Sequence, residues 1–343
     1  MYFWHAPDFD KLRASRQGRH HALLLTGPPG IGKSAFARAW AAALLCEQID
    51  AKGRACGRCS ACTWFAQGSH PDFRTLIPES LDPFYEPTGK GAKPARDIRI
   101  DQVRALAGFV SVGGHRGGSK VILVDPADCL NAASGNALLK TLEEPSGDTR
   151  FLLVSSRPDW LPATIRSRCA VVALRPPSTQ QAVAWLVEEH GLTAAEAARL
   201  LAAAGGAPLR ARDLAEPELG AAHRLVLDAL AKLPQASLIA TAERLSGVEP
   251  IQWVAILQTW VAELARVYSG ATARFYPEHG ARLEILARQT DLLRISELET
   301  SIRRLTRYAE HPLNPKLLCE NALVAYCSLF ETSATRQRPG TPG

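Results

Sequence analysis

No apolar run in this chain approaches the roughly 20 residues that a helix needs to cross a membrane, so a membrane-spanning protein is not expected. The first ten residues lack a basic segment followed by an apolar core, so no secretory signal is read there; Phe3 and Trp4 read as packing residues. A cytoplasmic setting is therefore expected, with cysteines reduced rather than paired in disulfides. Charge of one sign is not in excess: a net charge of +6 over 343 residues suits a nucleic-acid partner without requiring one. Internal repeats are absent, and the alanine-rich stretch 194–204 is an ordinary helix former rather than a low-complexity element. What remains is a soluble, globular composition, long enough at roughly 150 residues per domain for two or three domains.

The first half alternates between strand and helix patterns. Residues 23–25, 73–77, 121–124, 151–154 and 170–174 are apolar or β-branched runs bounded by turn residues, and read as strands. Helical patterns lie between them at 34–45, 100–110 and 136–142. That order predicts an α/β core with a parallel sheet and helices on both faces. Residues 81–96, rich in Pro, Gly and Lys, read as a loop. From Thr179 onward strand signals vanish. Two capped helices ending at His190 and near Ala204, and a third near Arg210, predict a small helical lid; longer helical patterns at 221–233, 251–268, 295–309 and 316–330 predict an all-α region after it. The expected organisation is a core over 1–175, a lid over 176–216, an all-α domain over 217–331, and a disordered polar tail over 332–343.

The first strand leads into Gly27-Pro28-Pro29-Gly30-Ile31-Gly32-Lys33-Ser34, which fits the phosphate-binding pattern G-x-x-x-x-G-K-[ST]. Phosphate oxygens need several backbone N–H donors at once, and glycines let the chain curl around them. The helix that follows adds the positive end of its dipole. Lys33 supplies a mobile charge for the terminal phosphates and Ser34 a hydroxyl for Mg²⁺. The strand before and the helix after favour a nucleotide site, with ATP and Mg²⁺ as ligands, over a chance Gly/Pro turn. Such a site usually carries a second strand ending in Asp-Glu, the Asp steadying Mg²⁺ and the Glu activating water. Here that strand ends in Asp125 followed by Pro126, so the base is missing; Asp128 stands too far along to replace it. Ser155 or Ser156 is either a contact for the last phosphate or a strand-end turn.

Cys46, Cys56, Cys59 and Cys62 cluster, the last three as C-x-x-C-x-x-C, with Gly53 and Gly57 letting the chain fold back. Four thiolates can close a tetrahedral shell around a structural Zn²⁺; an iron–sulfur cluster and a redox pair are the alternatives. His20 and His70 are not needed as ligands, and Cys129, Cys169, Cys319 and Cys327 read as packing residues.

The order phosphate loop, four-cysteine insertion, Asn136-Ala137-Leu138-Leu139-Lys140-Thr141-Leu142-Glu143-Glu144-Pro145 and then Ser167-Arg168-Cys169 closely resembles the clamp-loader subunits of bacterial DNA polymerase III, within the AAA+ superfamily. The resemblance is strongest over 23–174 and extends to about residue 330. Pro126 departs from the motor (gamma/tau) branch and resembles the delta-prime branch, although a complete phosphate loop is unusual there. The resemblance implies an AAA+ core, a lid and a collar, the collar joining motor, delta and delta-prime subunits in a heteropentamer that places a sliding clamp on primer-template DNA. It also implies that Arg168 reaches in trans into a neighbour's ATP site, in a polymerase holoenzyme component with little ATPase of its own. Motor subunits carry a lid arginine that senses the last phosphate; here Arg210 falls one place later, a turn of about 100° on a helix. Lys90, Lys93, Arg96, Arg99, Arg116, Lys120 and Lys140 are candidate contacts to DNA phosphates, and a solvated face explains the first four equally well. Two other readings stay open: an active motor ATPase, and a zinc-bearing nucleic-acid-binding protein using Trp64, Arg54 and Arg58.

Overall fold

A computed structural model describes residues 1–83, 94–111, 118–308 and 315–330. Lys90, Lys93, Arg116 and the tail over 332–343 lie outside the described residues. The chain divides into two compact units, Met1–Gln181 with Ala207–Leu209, and Ala182–Gly206 with Arg210–Gly343.

The first unit is built on five strands: β1 (Ala22–Thr26), β2 (Phe73–Leu76), β3 (Lys120–Val124), β4 (Thr149–Ser155) and β5 (Ala170–Ala173). All pair in parallel, in the order β2-β3-β4-β1-β5. The apolar runs are continuous because both faces of the sheet are covered. Leu23 and Leu25 of β1, with Leu152 and Val154 of β4, pack under α1 (Ala6–Ala14), α2 (Lys33–Leu45) and α3 (Ser60–Ala66), where Phe9, Phe36 and Phe65 fill the layer. The alternate residues, Ala22 and Leu24 of β1 with Phe151 and Leu153 of β4, face α4 (Ile100–Ser111), α5 (Ala132–Glu143) and α6 (Ala163–Arg166). The period-2 alternation of side chains thus supplies two separate cores from one sheet.

Helix α5 begins four residues before the sequence pattern suggested. Asn131 is its N-cap, accepting from the Ser134 N–H at 2.9 Å, and Ser134 and Gly135 are buried inside it. The polar Ser-Gly pair hid that first turn because it reads as loop. Trp4 is buried as expected, whereas Phe3 is 54 % exposed and packs edge-on against the Trp4 ring at 5.2 Å.

Among the described residues the regular elements of the second unit are all helices: α7 (Thr179–His190), whose first residues belong to the first unit, then α8 (Ala194–Ala203), α9 (Pro208–Ala215), α10 (Pro217–Lys232), α11 (Leu238–Leu245), α12 (Pro250–Tyr268), α13 (Gly280–Ala287), α14 (Leu292–Tyr308) and α15 (Pro315–Cys327). Helices α7 to α9 share one small core around Leu186, Leu200 and Ala211. Helices α10 to α15 share a larger one. Thr193 and Glu196 form a reciprocal capping box at α8, which satisfies two otherwise unpaired N–H groups. In the larger core Trp260 of α12 donates its indole N–H to Tyr326 of α15 at 2.8 Å, and Tyr326 donates to the Leu230 carbonyl of α10 at 3.3 Å. Three helices are thereby tied without an unpaired polar atom on either ring.

Candidate nucleotide site, cysteine cluster and half-exposed arginine

The phosphate loop lies between β1 and α2, at the carboxyl end of the sheet, where open parallel sheets place their ligands. Five of its backbone carbonyls, those of Gly27, Pro28, Gly30, Ile31 and Gly32, accept hydrogen bonds from within the fold. Gly27 and Pro28 accept from Lys33 Nζ at 2.9 and 2.7 Å. Gly30 accepts from the Leu209 N–H at 3.0 Å, and Gly32 from Phe36 N–H at 3.0 Å. Ile31 accepts from Trp4 Nε1 at 3.0 Å and from His5 Nε2 at 2.8 Å. Carbonyls held this way turn the amides inward; Pro28 and Pro29 have no N–H, so the donors left for an anion are those of Gly30 to Ser34. Three loop glycines take positive φ: Gly27 at +152°, Gly30 at +78° and Gly32 at +96°. A Cβ on Gly27 would stand 2.5 Å from the Leu174 carbonyl oxygen, and Gly32 has φ +96° with Tyr2 packed where its Cβ would point.

Asp125 directly follows β3, and its carboxyl stands near Ser34, Lys33 and Arg38. Burial pushes that carboxyl up, against the pull of Ser34, Lys33 and Arg38. Lys33 Nζ also donates to Ser156 Oγ at 2.8 Å. Burial draws the Lys33 ammonium down to about 8, while Asp128 and Asp125 hold it up. Asp128 itself is used in holding the end of β4: its carboxylate accepts from Ser155 Oγ and from the N–H groups of Ser156 and Arg157, the latter two at 2.8 and 3.4 Å. Ser155 therefore turns into the fold and Ser156 toward the lysine, which separates two residues that the sequence left equal. The lysine, the hydroxyl and one carboxylate expected of a nucleotide site are together, and Pro126 rather than a carboxylate directly follows Asp125.

The four clustered cysteines converge. Cys46 ends α2 and Cys59 caps α3, accepting from the Cys62 N–H at 3.4 Å, while Cys46 accepts from the Cys56 N–H at 3.2 Å. Their sulfurs lie within 4.8 Å of one another, with Cys46–Cys62, Cys46–Cys59 and Cys56–Cys62 at 3.6, 3.9 and 4.0 Å. Four thiolates about 2.3 Å from a tetrahedral metal stand about 3.8 Å apart, so the thiols fit that shell and can hold a structural metal such as zinc. Backbone N–H groups of Arg58 and Cys59 draw the Cys56 thiol down to about 6. His70 is turned away and accepts from Asp72 N–H at 3.1 Å, and His20 pairs with Ala22, so neither joins the cluster.

Arg168 lies just past α6, before β5. Its Nη2 pairs with Glu143 at 2.5 Å and its Nη1 donates to the Thr164 carbonyl at 2.9 Å. The next residue, Cys169, is buried, and burial pushes its thiol up to about 12. A thiol so protonated is a poor nucleophile: Cys169 should resist iodoacetamide in the folded protein at pH 8 and react only after denaturation, as peptide mass spectrometry would read. Modification under native conditions would contradict that packing role.

Arg210 lines a cavity of about 300 Å³ in the second unit, with Asp213, His223 and Tyr276. Burial and the charges of Arg210, Arg199 and Arg224 draw the His223 imidazole down to about 4. Of the candidate DNA contacts, Arg96 and Lys140 are exposed and Arg99 pairs with Glu79 at 3.2 Å. Lys120 does not fit that role: it is 5 % exposed, its ammonium donating to the Phe109 carbonyl and lying 4.6 Å from the Phe109 ring centre. Its stem is buried in the sheet and its head is spent on Phe109.

A family model described as "DNA polymerase III, delta subunit" matches residues 10–178. The DNA polymerase III subunit delta' of Pseudomonas aeruginosa is 45% identical over 215 residues, 62% of this chain and 61% of that protein. The Escherichia coli subunit delta' is 37% identical over 262 residues, 75% of this chain and 74% of its own length. The E. coli subunit tau is 34% identical over 195 residues, 56% of this chain and 28% of tau. The first relative is thus spanned for under two thirds of its length, and the second for nearly three quarters. With that identity over that share of the E. coli protein, and with the glycine-rich loop, cysteine cluster and parallel five-stranded sheet in place, the chain belongs to the DNA polymerase III delta' family of clamp-loader subunits.

Proposed function

We propose that this chain is a fixed, non-hydrolysing member of a heteropentameric clamp loader that helps place a sliding clamp on primer-template DNA, and that it supplies Arg168 to the ATP site of an adjacent motor subunit. The observation that carries the reading is the pairing of a phosphate site lacking a carboxylate after Asp125 with a half-exposed arginine outside that site. An arginine given in trans stabilises charge on a transferring phosphoryl group. A subunit without a base of its own then remains necessary for turnover next door. Mixing the purified chain with motor and delta subunits tests it: clamp loading on primed DNA should require the chain, and full loading by complexes lacking it would rule the role out.

The chain's own site is proposed to bind ATP with Mg²⁺ and to leave it intact. The N–H groups of Gly30 to Ser34 and the Lys33 ammonium would hold the phosphates, and Ser34 with Asp125 the cation. Because Lys33 is charged only below about 8, nucleotide affinity should fall as pH rises through that value. Lys33→Ala should lose that dependence together with most binding, about tenfold or more for a charge-assisted contact. Titration of a fluorescent ATP analogue between pH 7 and 9.5 reads both; equal affinity for wild type and Lys33→Ala would show that the loop is not a nucleotide site.

The cysteine cluster is proposed to hold one Zn²⁺ as a structural centre, since all four ligands come from the chain and no position is left open for a substrate. The boundaries 1–175, 176–216 and 217–331 are proposed as core, lid and collar; separate apolar clusters in α7 to α9 and in α10 to α15 support dividing the last two. DNA contacts are proposed through phosphates alone, with Arg96 and Lys140 as the exposed candidates among the described residues.

A further inference from the structure

Glu143 and Arg168 are separated by 25 positions, and each sits in its own motif. In the structure they meet. Glu143 is the last residue of α5, and its Oε1 lies 2.5 Å from Arg168 Nη2. The other terminal nitrogen, Nη1, donates to the Thr164 carbonyl at 2.9 Å and to Ser167 Oγ at 3.3 Å. The nearby Arg166 has its own acid, Asp159 at 3.1 Å, so it does not compete for Glu143.

We infer that Glu143 is a positioning residue for Arg168, holding the guanidinium in the pose in which it acts on a neighbouring subunit. This rests on the trans-arginine reading above and deepens it. The pair is half-exposed on both sides, 35 % for the arginine and 47 % for the glutamate. Such surface pairs contribute little to folding, so stability does not account for it. An arginine in a loop carries large rotamer freedom, which it must lose to meet a phosphate. Here the backbone is pinned by the buried Cys169, and the two Nη ends are pinned by Glu143 and Thr164. The Nε–H takes no partner among the described residues and stays available for an oxygen acceptor. The negative end of α5 adds to the hold on a cation at that place. Fixing a reacting group in advance removes an ordering cost from the step itself.

The test uses reconstituted complexes with motor subunits, clamp and primed DNA, comparing Glu143→Ala, Glu143→Gln, Arg168→Ala and the double variant. Glu143→Ala should lower kcat for ATP about 10- to 100-fold, the range for a misplaced catalytic group, with KM for ATP unchanged. Glu143→Gln, which keeps an oxygen acceptor, should lose less. In the Arg168→Ala background Glu143→Ala should have no further effect, and thermal melting of each variant should stay near wild type. Unchanged or raised kcat in Glu143→Ala, while Arg168→Ala is impaired, would overturn the inference and leave the trans-arginine reading standing. So would an equal loss from Glu143→Ala in both backgrounds. Unchanged turnover in Arg168→Ala would remove the trans-arginine reading itself, and the inference with it.

Discussion

Arg168→Ala, in an assembled clamp loader, should lower ATP turnover at the adjoining motor site by about 10³-fold or more, the scale of an arginine supplied in trans. The reason is local. The chemistry of phosphoryl transfer asks the protein for little beyond positioning and charge, so one missing guanidinium is felt in full. Arg168→Lys should not restore the rate, because an ammonium presents a point charge and not a planar fork. The substitution should not disturb the fold. It removes a half-exposed pair with Glu143, whose contribution to folding is about 0–1 kcal/mol. Ring assembly, followed by size-exclusion chromatography, should therefore survive while turnover collapses. If variant complexes assemble and hydrolyse ATP at the unmodified rate, Arg168 is an ordinary surface residue.

Removing the metal should have the next largest effect. The cysteine module joins the end of α2 to α3, and α3 buries Phe65 against the sheet beside Phe73. Metal bound by four thiolates becomes folding free energy, because no preformed site exists in the unfolded chain. Reduced protein should contain one equivalent of zinc by elemental analysis. Chelation, or Cys59→Ser, should release it and lower the melting temperature. Hydrogen exchange should rise over residues 46–66 first. Protein that carries no zinc and melts unchanged after chelation would show that the thiols pack without a metal.

The strands were legible because each apolar run is buried on both faces and bounded by turn residues. The placement of residues 27–34 between β1 and α2 was legible because a phosphate-binding pattern fixes residue types at set spacing, and the convergence of the four cysteines for the same reason. Helices α1 and α3 were not separated out: α1 carries mixed charge over nine residues, and α3 has seven residues inside a polar, cysteine-bearing stretch. The capping of the loop carbonyls by Trp4, His5 and Leu209 was also hidden. Those contacts join distant parts of the chain through backbone atoms and leave no residue-type signature. The same holds for Glu143 with Arg168, and for Asp128 holding the end of β4. Lys120 misled for a different reason: a lysine at the start of a strand reads as exposed, and only the packing shows its head spent on Phe109.

This chain is proposed to take part in ATP-driven clamp loading without hydrolysing ATP itself. Steady-state ATP turnover by the purified chain, alone and then with motor and delta subunits, clamp and primed DNA, tests it most directly. No turnover above background is expected for the chain alone, and turnover in the complex should depend on its presence. Turnover by the chain alone that Lys33→Ala abolishes would contradict it, and would mean that a residue other than the one missing after Asp125 activates water.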